Sequence, residues 1–426
     1  MEDELLDYQF ENHTEAIIKV IGVGGGGSNA VNHMFREGIR DVSFALCNTD
    51  NQALKGSPVP IKIQLGEQIT NGLGAGNRPE VARKAAEESV DIIRDLLSDG
   101  TRMVFITAGL GGGTGTGAAP VVARIAKEMD ILTVGIVTVP FIFEGEPKIL
   151  QALKGVEEMA KNVDALLVIN NERLREIYQD LTIANAFARA DDTLATSAKS
   201  IAEIITIHGY VNLDFADVNT TLKDGGVAIM GRGYGKGENR VNDAIKDALH
   251  SPLLNNNDVY NAKKILINLS FGDEKPLMME EMNALHDFMS KFSKEIEVIW
   301  GSAEEEDLKD EVKVTLLATG FSIQNVPGIA EQVQAIQTEE DEKKKKEKEK
   351  ENKENKELIE KYYGKEGLKT LSSINYRVEP FVLSLEEMDD DKLLENLEKI
   401  PVFKRGSDFD PRNYQYHGSA PTSLFD

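Results

Sequence analysis

The sequence predicts two α/β segments in series, the first built on a parallel sheet with helices on both faces, joined by a long central helix and trailed by a charged, flexible tail. Three observations lead there. From Ile17 to about Asn170, short Val- and Ile-rich runs alternate with longer amphipathic stretches, the pattern of parallel strands linked by helical crossovers. Ile183 to His208 carries Ile, Leu and Ala at helical spacing and meets no Gly or Pro before Gly209. Beyond Thr338 the composition turns abruptly to Glu, Lys and Asn in mixed-sign runs that bury nothing.

Taken in order, strands are expected at Ile17 to Val23, Val42 to Cys47, Met103 to Ala108, Leu132 to Val139 and Ala165 to Ile169. Helices should start at Asn29, Pro79, Thr116 and Pro147, the two prolines suiting a first helical turn. The second segment should hold strands at Gly226 to Met230, Lys264 to Ser270, Val298 to Gly301 and Val312 to Ala318. Its helices are expected near Asn239 to Leu249 and Met279 to Ser290. The expected organisation is an N-terminal extension (1–16), a first domain (17–182), the central helix (183–208), a second domain (209–321), a charged linker (322–392), a tail peptide (393–406) and a terminal extension (407–426). The tail peptide is an apolar island of Leu393, Leu394, Leu397 and Ile400 to Phe403, followed by Lys404 and Arg405, the form of a partner-docking segment.

Composition narrows the function. At 426 residues with 41% hydrophobic content, the chain can bury substantial cores. Its formal net charge of -24 repels nucleic-acid phosphates and anionic lipid headgroups, so neither is an expected partner. No apolar run approaches the ~20 residues of a membrane span, and the acidic start lacks the basic and apolar regions of a secretory signal, which points to the cytoplasm. Cys47 is the only cysteine and excludes an internal disulfide. It reads as a buried small hydrophobe. The six histidines lie far apart with no close ligand pair, so a structural zinc site is not expected.

The first chemical signal is Gly22-Val23-Gly24-Gly25-Gly26-Gly27-Ser28-Asn29, between an expected strand and an expected helix. Glycines let backbone approach phosphate oxygens, and the helix N-terminus supplies free amides and a favourable dipole. Alone, the loop also fits the G-x-G-x-x-G of a Rossmann dinucleotide enzyme, with Asp50 placed for a ribose-binding acid. The second signal is Gly109-Leu110-Gly111-Gly112-Gly113-Thr114-Gly115-Thr116-Gly117, again between strand and helix. A dinucleotide fold needs one such loop, whereas two at one sheet edge can enclose a triphosphate. No stretch reads GxxxxGK followed by Ser or Thr, which excludes a P-loop.

GGGTGTG at 111–117 is a tubulin/FtsZ signature, and the chain resembles that family. The likeness extends through Asn48-Thr49-Asp50, Gly72 to Pro79, Phe143-Glu144-Gly145, Asn212 to Asp217 and Ser251 to Leu254, roughly from Ile17 to Phe321. It implies a Rossmann-like GTP-binding domain, a second smaller α/β domain, and a GTPase that polymerises head to tail into division-ring filaments at mid-cell. The resemblance gives phosphate contacts to Gly25, Gly26, Gly27, Ser28, Asn29, Gly111, Gly112, Gly113, Thr114, Gly115 and Thr116. It sets Glu144 at the ribose and Lys148 where relatives often carry Arg. Phe187 and the Asp191-Asp192 pair fall at the base, where a carboxylate accepts both guanine donors; either aspartate fits. Asn212, Asp214 and Asp217 would complete a neighbour's active site, with Mg²⁺ accompanying GTP or GDP and no stable protein ligands of its own. The bland reading of the last two has Asp217 capping a helix and Asp214 in a turn. Ile400, Pro401, Val402, Phe403, Lys404 and Arg405 resemble the family's tail peptide, which binds membrane-tethering and regulatory division proteins. A Rossmann oxidoreductase and a filament protein without turnover are the competing classes.

Overall fold

The short apolar runs are strands buried on both faces. In β1 (Ile18–Val23), Ile18 and Val20 enter one core while Ile21 and Val23 enter the other, the two-sided burial that parallel sheets require. The computed structural model describes residues 16–39, 41–178, 182–251, 259–292 and 296–321. The linker, the tail peptide with Ile400 to Arg405, the terminal extension, the N-terminal extension before Ala16, and Pro252 to Leu254 lie outside the described residues.

The remaining strands are β2 (Val42–Asn48), β3 (Ile61–Gln64), β4 (Met103–Gly109), β5 (Leu132–Val139), β6 (Ala165–Asn170), β7 (Gly209–Val211), β8 (Gly226–Gly235), β9 (Lys264–Phe271), β10 (Glu297–Glu304) and β11 (Val312–Phe321). All join one sheet in the order β3-β2-β1-β4-β5-β6-β8-β11-β9-β10-β7. Strands from β3 through β8 run parallel. On the far side, β11 is antiparallel to both its neighbours, β9 and β10 are parallel, and β7 closes the edge antiparallel to β10. The two expected segments are thus continuous through β6 and β8, which pair from Ala165–Gly226 to Leu167–Ala228.

Helices α1 (Gly24–Glu37), α2 (Asn51–Lys55), α3 (Glu67–Thr70), α4 (Pro79–Glu88), α5 (Val90–Leu97), α6 (Gly113–Glu128), α7 (Glu146–Asn162) and α8 (Asn171–Ile177) occupy the first half. Then come α9 (Ile183–Thr206), α10 (Phe215–Leu222), α11 (Arg240–Leu249) and α12 (Met282–Met289). α6 lies on one face of the sheet, contributing Ala118, Val122 and Ile125 to its core. α1 and α9 lie on the other, where Ala30, Val31 and Met34 share a core with Leu194, Ala198 and Ile201. With 24 residues, α9 is about 36 Å long. Its far end is fastened by the nearly buried Lys313 of β11, whose ammonium lies 3.3 Å from Glu203 and 2.6 Å from Glu305.

In the second half, the fully buried Arg240 makes a two-pronged pair with Glu281, at 2.7 and 3.0 Å, and donates to the carbonyls of Lys275, Pro276 and Asp310. Its fork is fully used, the condition under which a buried guanidinium is tolerated.

Candidate functional site

The strand order places β2 and β4 on opposite sides of β1, so connections leave β1 and β4 toward opposite faces. That is the topological switch point where open α/β sheets bind ligands beyond their strand ends. Both glycine-rich loops sit there. Gly24 begins α1 at φ +73°, and a Cβ on it would stand 2.7 Å from the Gly115 nitrogen, so only glycine lets the loops touch. Gly27 lies equally tight against β4: a Cβ there would approach the Thr107 carbonyl oxygen to 2.2 Å.

Two helix N-termini therefore converge. Neither has a side-chain cap, and neither carries an acid in its first turn. Their leading amides lack the usual capping partners and add their dipoles at one place. Around this point the chain is open: a Cβ on Gly25 or Gly112 would meet nothing within 4 Å. Ser28 Oγ is buried without a hydrogen-bond partner, a donor held ready beside the loops. Thr114 Oγ1 pairs with Thr49 Oγ1 at 2.7 Å, and Thr116 Oγ1 accepts from the Gly111 amide at 2.9 Å. Gln151 of α7 donates to the carbonyls of Gly111 and Gly112 at 3.1 and 3.0 Å, which satisfies two of that loop's acceptors and fixes its conformation. Asn29 is exposed on the first turns of α1, beside Gly26. These features fit a polyphosphate.

Both helices begin earlier than expected, α1 at Gly24 instead of Asn29 and α6 at Gly113 instead of Thr116. Glycine is a poor helix former, so local preference puts the start after the glycines. Tertiary contact between the two loops overrides it.

Glu144 ends a short 3-10 turn after β5. One of its oxygens accepts from the Phe141 amide at 3.0 Å, while the other lies 3.3 Å from Lys148 Nζ. The expected ribose acid and the expected basic residue are thus partners of each other. Phe187, on the first turns of α9, packs edge-on to Phe141 at 5.2 Å, and Phe143 stacks on Phe141 at 5.1 Å. One turn beyond Phe187 lies Asp191, half-buried; desolvation pushes its carboxyl up to about 6, opposed by the charge of His33. Its neighbour Asp192 is engaged by Arg189 at 3.0 Å.

Asn212, Asp214 and Asp217 are not in this group. They follow the opposite end of α9, and the run from Asp191 to Thr206 alone spans about 22 Å. Asp214 is the N-cap of α10, its Oδ1 accepting from Ala216 and Asp217 amides at 2.8 and 3.2 Å. Asp217 Oδ2 accepts in return from the Asp214 amide at 2.9 Å, completing a capping box. The box uses one oxygen of each carboxylate, and both Asp214 and Asn212 are exposed. Asn212 Oδ1 accepts from the Gly209 amide at 3.1 Å. Capping and an outward role are compatible here, with Asp214 as cap and Asp217 as its reciprocal partner.

Asp50, the acid a dinucleotide enzyme would turn to ribose, instead caps α2 through the amides of Gln52 and Ala53. Arg78 is exposed at the residue preceding α4. Cys47 is fully buried, which pushes its thiol up to about 12 and leaves it inert. Sequence reasoning missed the positioning roles of Thr49 and Gln151. Thr49 had a signal, standing beside Asp50 at a strand end next to a glycine loop; Gln151 had none.

An α/β chain with two glycine-rich helix N-termini at its switch point and no P-loop has the form of a nucleoside-triphosphate binder built on loop amides and nearby hydroxyls. Residues 17–179 match the GTPase domain of the Tubulin/FtsZ family, and residues 226–322 match the C-terminal domain of the FtsZ family. A cell division protein FtsZ from Porphyromonas gingivalis is 53% identical over 95% of this chain and 89% of its own length. One from Aquifex aeolicus is 47% identical over 71% of this chain and 83% of its own. Among solved structures, the empty FtsZ dimer of M. jannaschii is 40% identical, with a TM-score of 0.66, covering 72% of this chain and 89% of that one. The chain belongs to the FtsZ family within the tubulin/FtsZ GTPases. It is accordingly a guanine-nucleotide-binding GTPase of cell division, from a family that polymerises. Among the described residues, no helix is long and apolar enough to cross a membrane.

Proposed function

We propose that this chain binds GTP at the β1–β4 switch point and hydrolyses it only when Asn212, Asp214 and Asp217 of an adjoining copy close over the pocket. The supporting observation is the separation along α9: the phosphate loops and the outward carboxylates are the two halves of a hydrolytic site, too far apart to meet within one molecule. Stacking copies head to tail joins one half to the other, and a heterologous contact that does not close generates a filament.

In this reading Gly25 to Asn29 and Gly111 to Thr116 hold the phosphates through amides and hydroxyls. Asp191 reads guanine, because its carboxylate is half-buried and desolvated while Asp192 is occupied by Arg189. Phe187 packs beside the base, and Glu144 releases Lys148 to face the ribose. The exposed oxygens of Asp214 and Asp217 orient the attacking water and accept its proton. The first turns of α1 and α6 carry no acid, which fits a Mg²⁺ held by the nucleotide's own phosphates, where it neutralises phosphate charge. The tail residues Ile400 to Arg405 recruit membrane-tethering and regulatory division proteins, and the filaments assemble at mid-cell. A pelleting assay with Mg²⁺ and GTP, GDP or ATP, with phosphate release followed in parallel, tests the scheme. GTP alone should give a pellet that dissolves as phosphate appears; phosphate release at full rate from dilute monomer would refute hydrolysis between copies.

A further inference from the structure

We propose that His33, Glu37 and Asp192 form a site for one divalent transition-metal ion, of which Zn²⁺ is the best fit, linking α1 to α9. His33 and Glu37 stand one turn apart on α1 and so share a face. Asp192 comes across from α9, where apolar packing of Ala30, Val31 and Met34 against Ala190 and Leu194 fixes the two helices side by side.

The geometry is that of a ligand set. His33 Nε2 lies 3.4 Å from Glu37 Oε1 and 3.7 Å from Asp192 Oδ1, and the three donor atoms fall within 4.8 Å of one another. Donors bound to Zn²⁺ at about 2.0–2.1 Å in a tetrahedron stand roughly 3.3 Å apart, so an ion enters with small side-chain adjustment. A second observation is independent of the distances. Nε2 is buried and hydrogen-bonded to neither carboxylate, an arrangement that costs free energy unless something else satisfies that nitrogen. The side chains are each a little over one-third exposed, at 37%, 35% and 38% for His33, Glu37 and Asp192, so the cluster lies at the protein surface although Nε2 itself is covered, and an ion enters as the side chains adjust.

Asp192 is also held in the right pose. Arg189 takes its Oδ2 at 3.0 Å and leaves Oδ1 toward the imidazole, the kind of support that orients metal-binding carboxylates. The donor chemistry selects the ion: an imidazole nitrogen with two carboxylates suits Zn²⁺, Co²⁺ or Ni²⁺, whereas Mg²⁺ prefers six oxygens. The site is therefore separate from the Mg²⁺ that travels with GTP. The absence of a close histidine pair in the sequence gave no hint of it, because two of the three donors are carboxylates and one is brought by a distant helix.

The test is a titration of the nucleotide-free full chain with Co²⁺, followed by its visible absorption and by displacement with Zn²⁺. One Co²⁺ per chain should bind with histidine-type absorption, and Zn²⁺ should raise the thermal midpoint. His33→Gln should weaken binding at least ~10-fold, and Glu37→Gln about 10-fold, with circular dichroism unchanged. His33→Ala serves as the second variant should the glutamine retain affinity as a ligand. Co²⁺ binding that is equally strong in both His33 variants would place the ion elsewhere, in the acidic tail or at another histidine, and overturn the proposal. So would a wild-type chain that binds Co²⁺ no more tightly than either variant.

Discussion

Replacing Gly112 by Asp should make the protein more stable and weaken its binding of GTP by roughly 10³-fold. Gly112 is the N-cap of α6, with φ -98° and ψ -178°, the extended backbone that capping residues adopt, and a Cβ there meets nothing within 4 Å. An aspartate fits without strain and can accept from the uncapped amides of the first turn. Exchanging a glycine cap for aspartate contributes a few tenths of a kcal/mol, and a negative charge at a helix N-terminus adds roughly 0.3–1 kcal/mol. For a domain of this size, that sum raises the thermal midpoint by about 1–4 °C. The same carboxylate occupies the space where a phosphate would sit. Two like charges about 4 Å apart at an effective dielectric near 20 repel by about 4 kcal/mol, roughly a 10³-fold loss of affinity. Differential scanning calorimetry and displacement of a fluorescent GTP analogue read the two effects. A variant that binds GTP at wild-type strength would show that this loop does not hold phosphate. One destabilised by more than about 1 kcal/mol would show that the helix end is not open.

Three other perturbations probe separate parts of the molecule. Asp214→Asn keeps a good N-cap and should bind GTP normally while losing at least ~10²-fold in phosphate release. Mixed with Gly112→Asp, it should regain turnover, with about a quarter of the wild-type rate as the ceiling for random subunit order; a mixture as silent as its parts counts against hydrolysis between copies. Asp191→Asn should weaken GTP binding about 10–100-fold while Asp192→Asn changes it by less than about 3-fold, and equal losses would undo the assignment of the base reader. Glu281→Gln leaves the buried Arg240 without its counter-charge and should cost about 3 kcal/mol by urea denaturation. The Arg240 guanidinium holds the Glu281 carboxyl below its usual value of 4.5. In the wild type, that stabilisation is therefore complete above pH 4.5 and lost as pH falls through the lower folded-state value, so the gap between wild type and variant should shrink in acid.

The strands of the first half other than β3 were legible because each is a short, mainly apolar run with a helix to either side, and the polar residues within them, Lys19, Ser43, Thr107, Thr133 and Thr138, stand singly and do not break the pattern. β3 and β7 were missed for the opposite reason. Ile61 and Lys62 of β3 are exposed at one sheet edge, and β7 has only three residues at the other. The extents of α1 and α6 were misjudged at their glycines, where local preference and tertiary demand conflict. The two glycine-rich loops were readable as candidate phosphate holders, since glycine at that density has few other uses, and the structure brings them together at one sheet edge. The pairing of Glu144 with Lys148, and the occupation of Asp192 but not Asp191, depend on which neighbours folding brings near. The spacing of Asp214 and Asp217 did announce a helix start, although the cap is Asp214 and the reciprocal partner is Asp217.

The length of α9 also bears on arithmetic. If each hydrolytic site needs a pocket from one copy and a carboxylate loop from the next, a filament of n subunits contains n-1 finished sites. A lone copy holds its nucleotide unspent however long it waits, and turnover per subunit climbs with polymer length toward a plateau. At one terminus the pocket has no overlying loop, so the nucleotide there outlives those in the interior. In that scheme the helix acts as a ruler that makes hydrolysis report neighbours, and it would let a polymer distinguish its end from its middle.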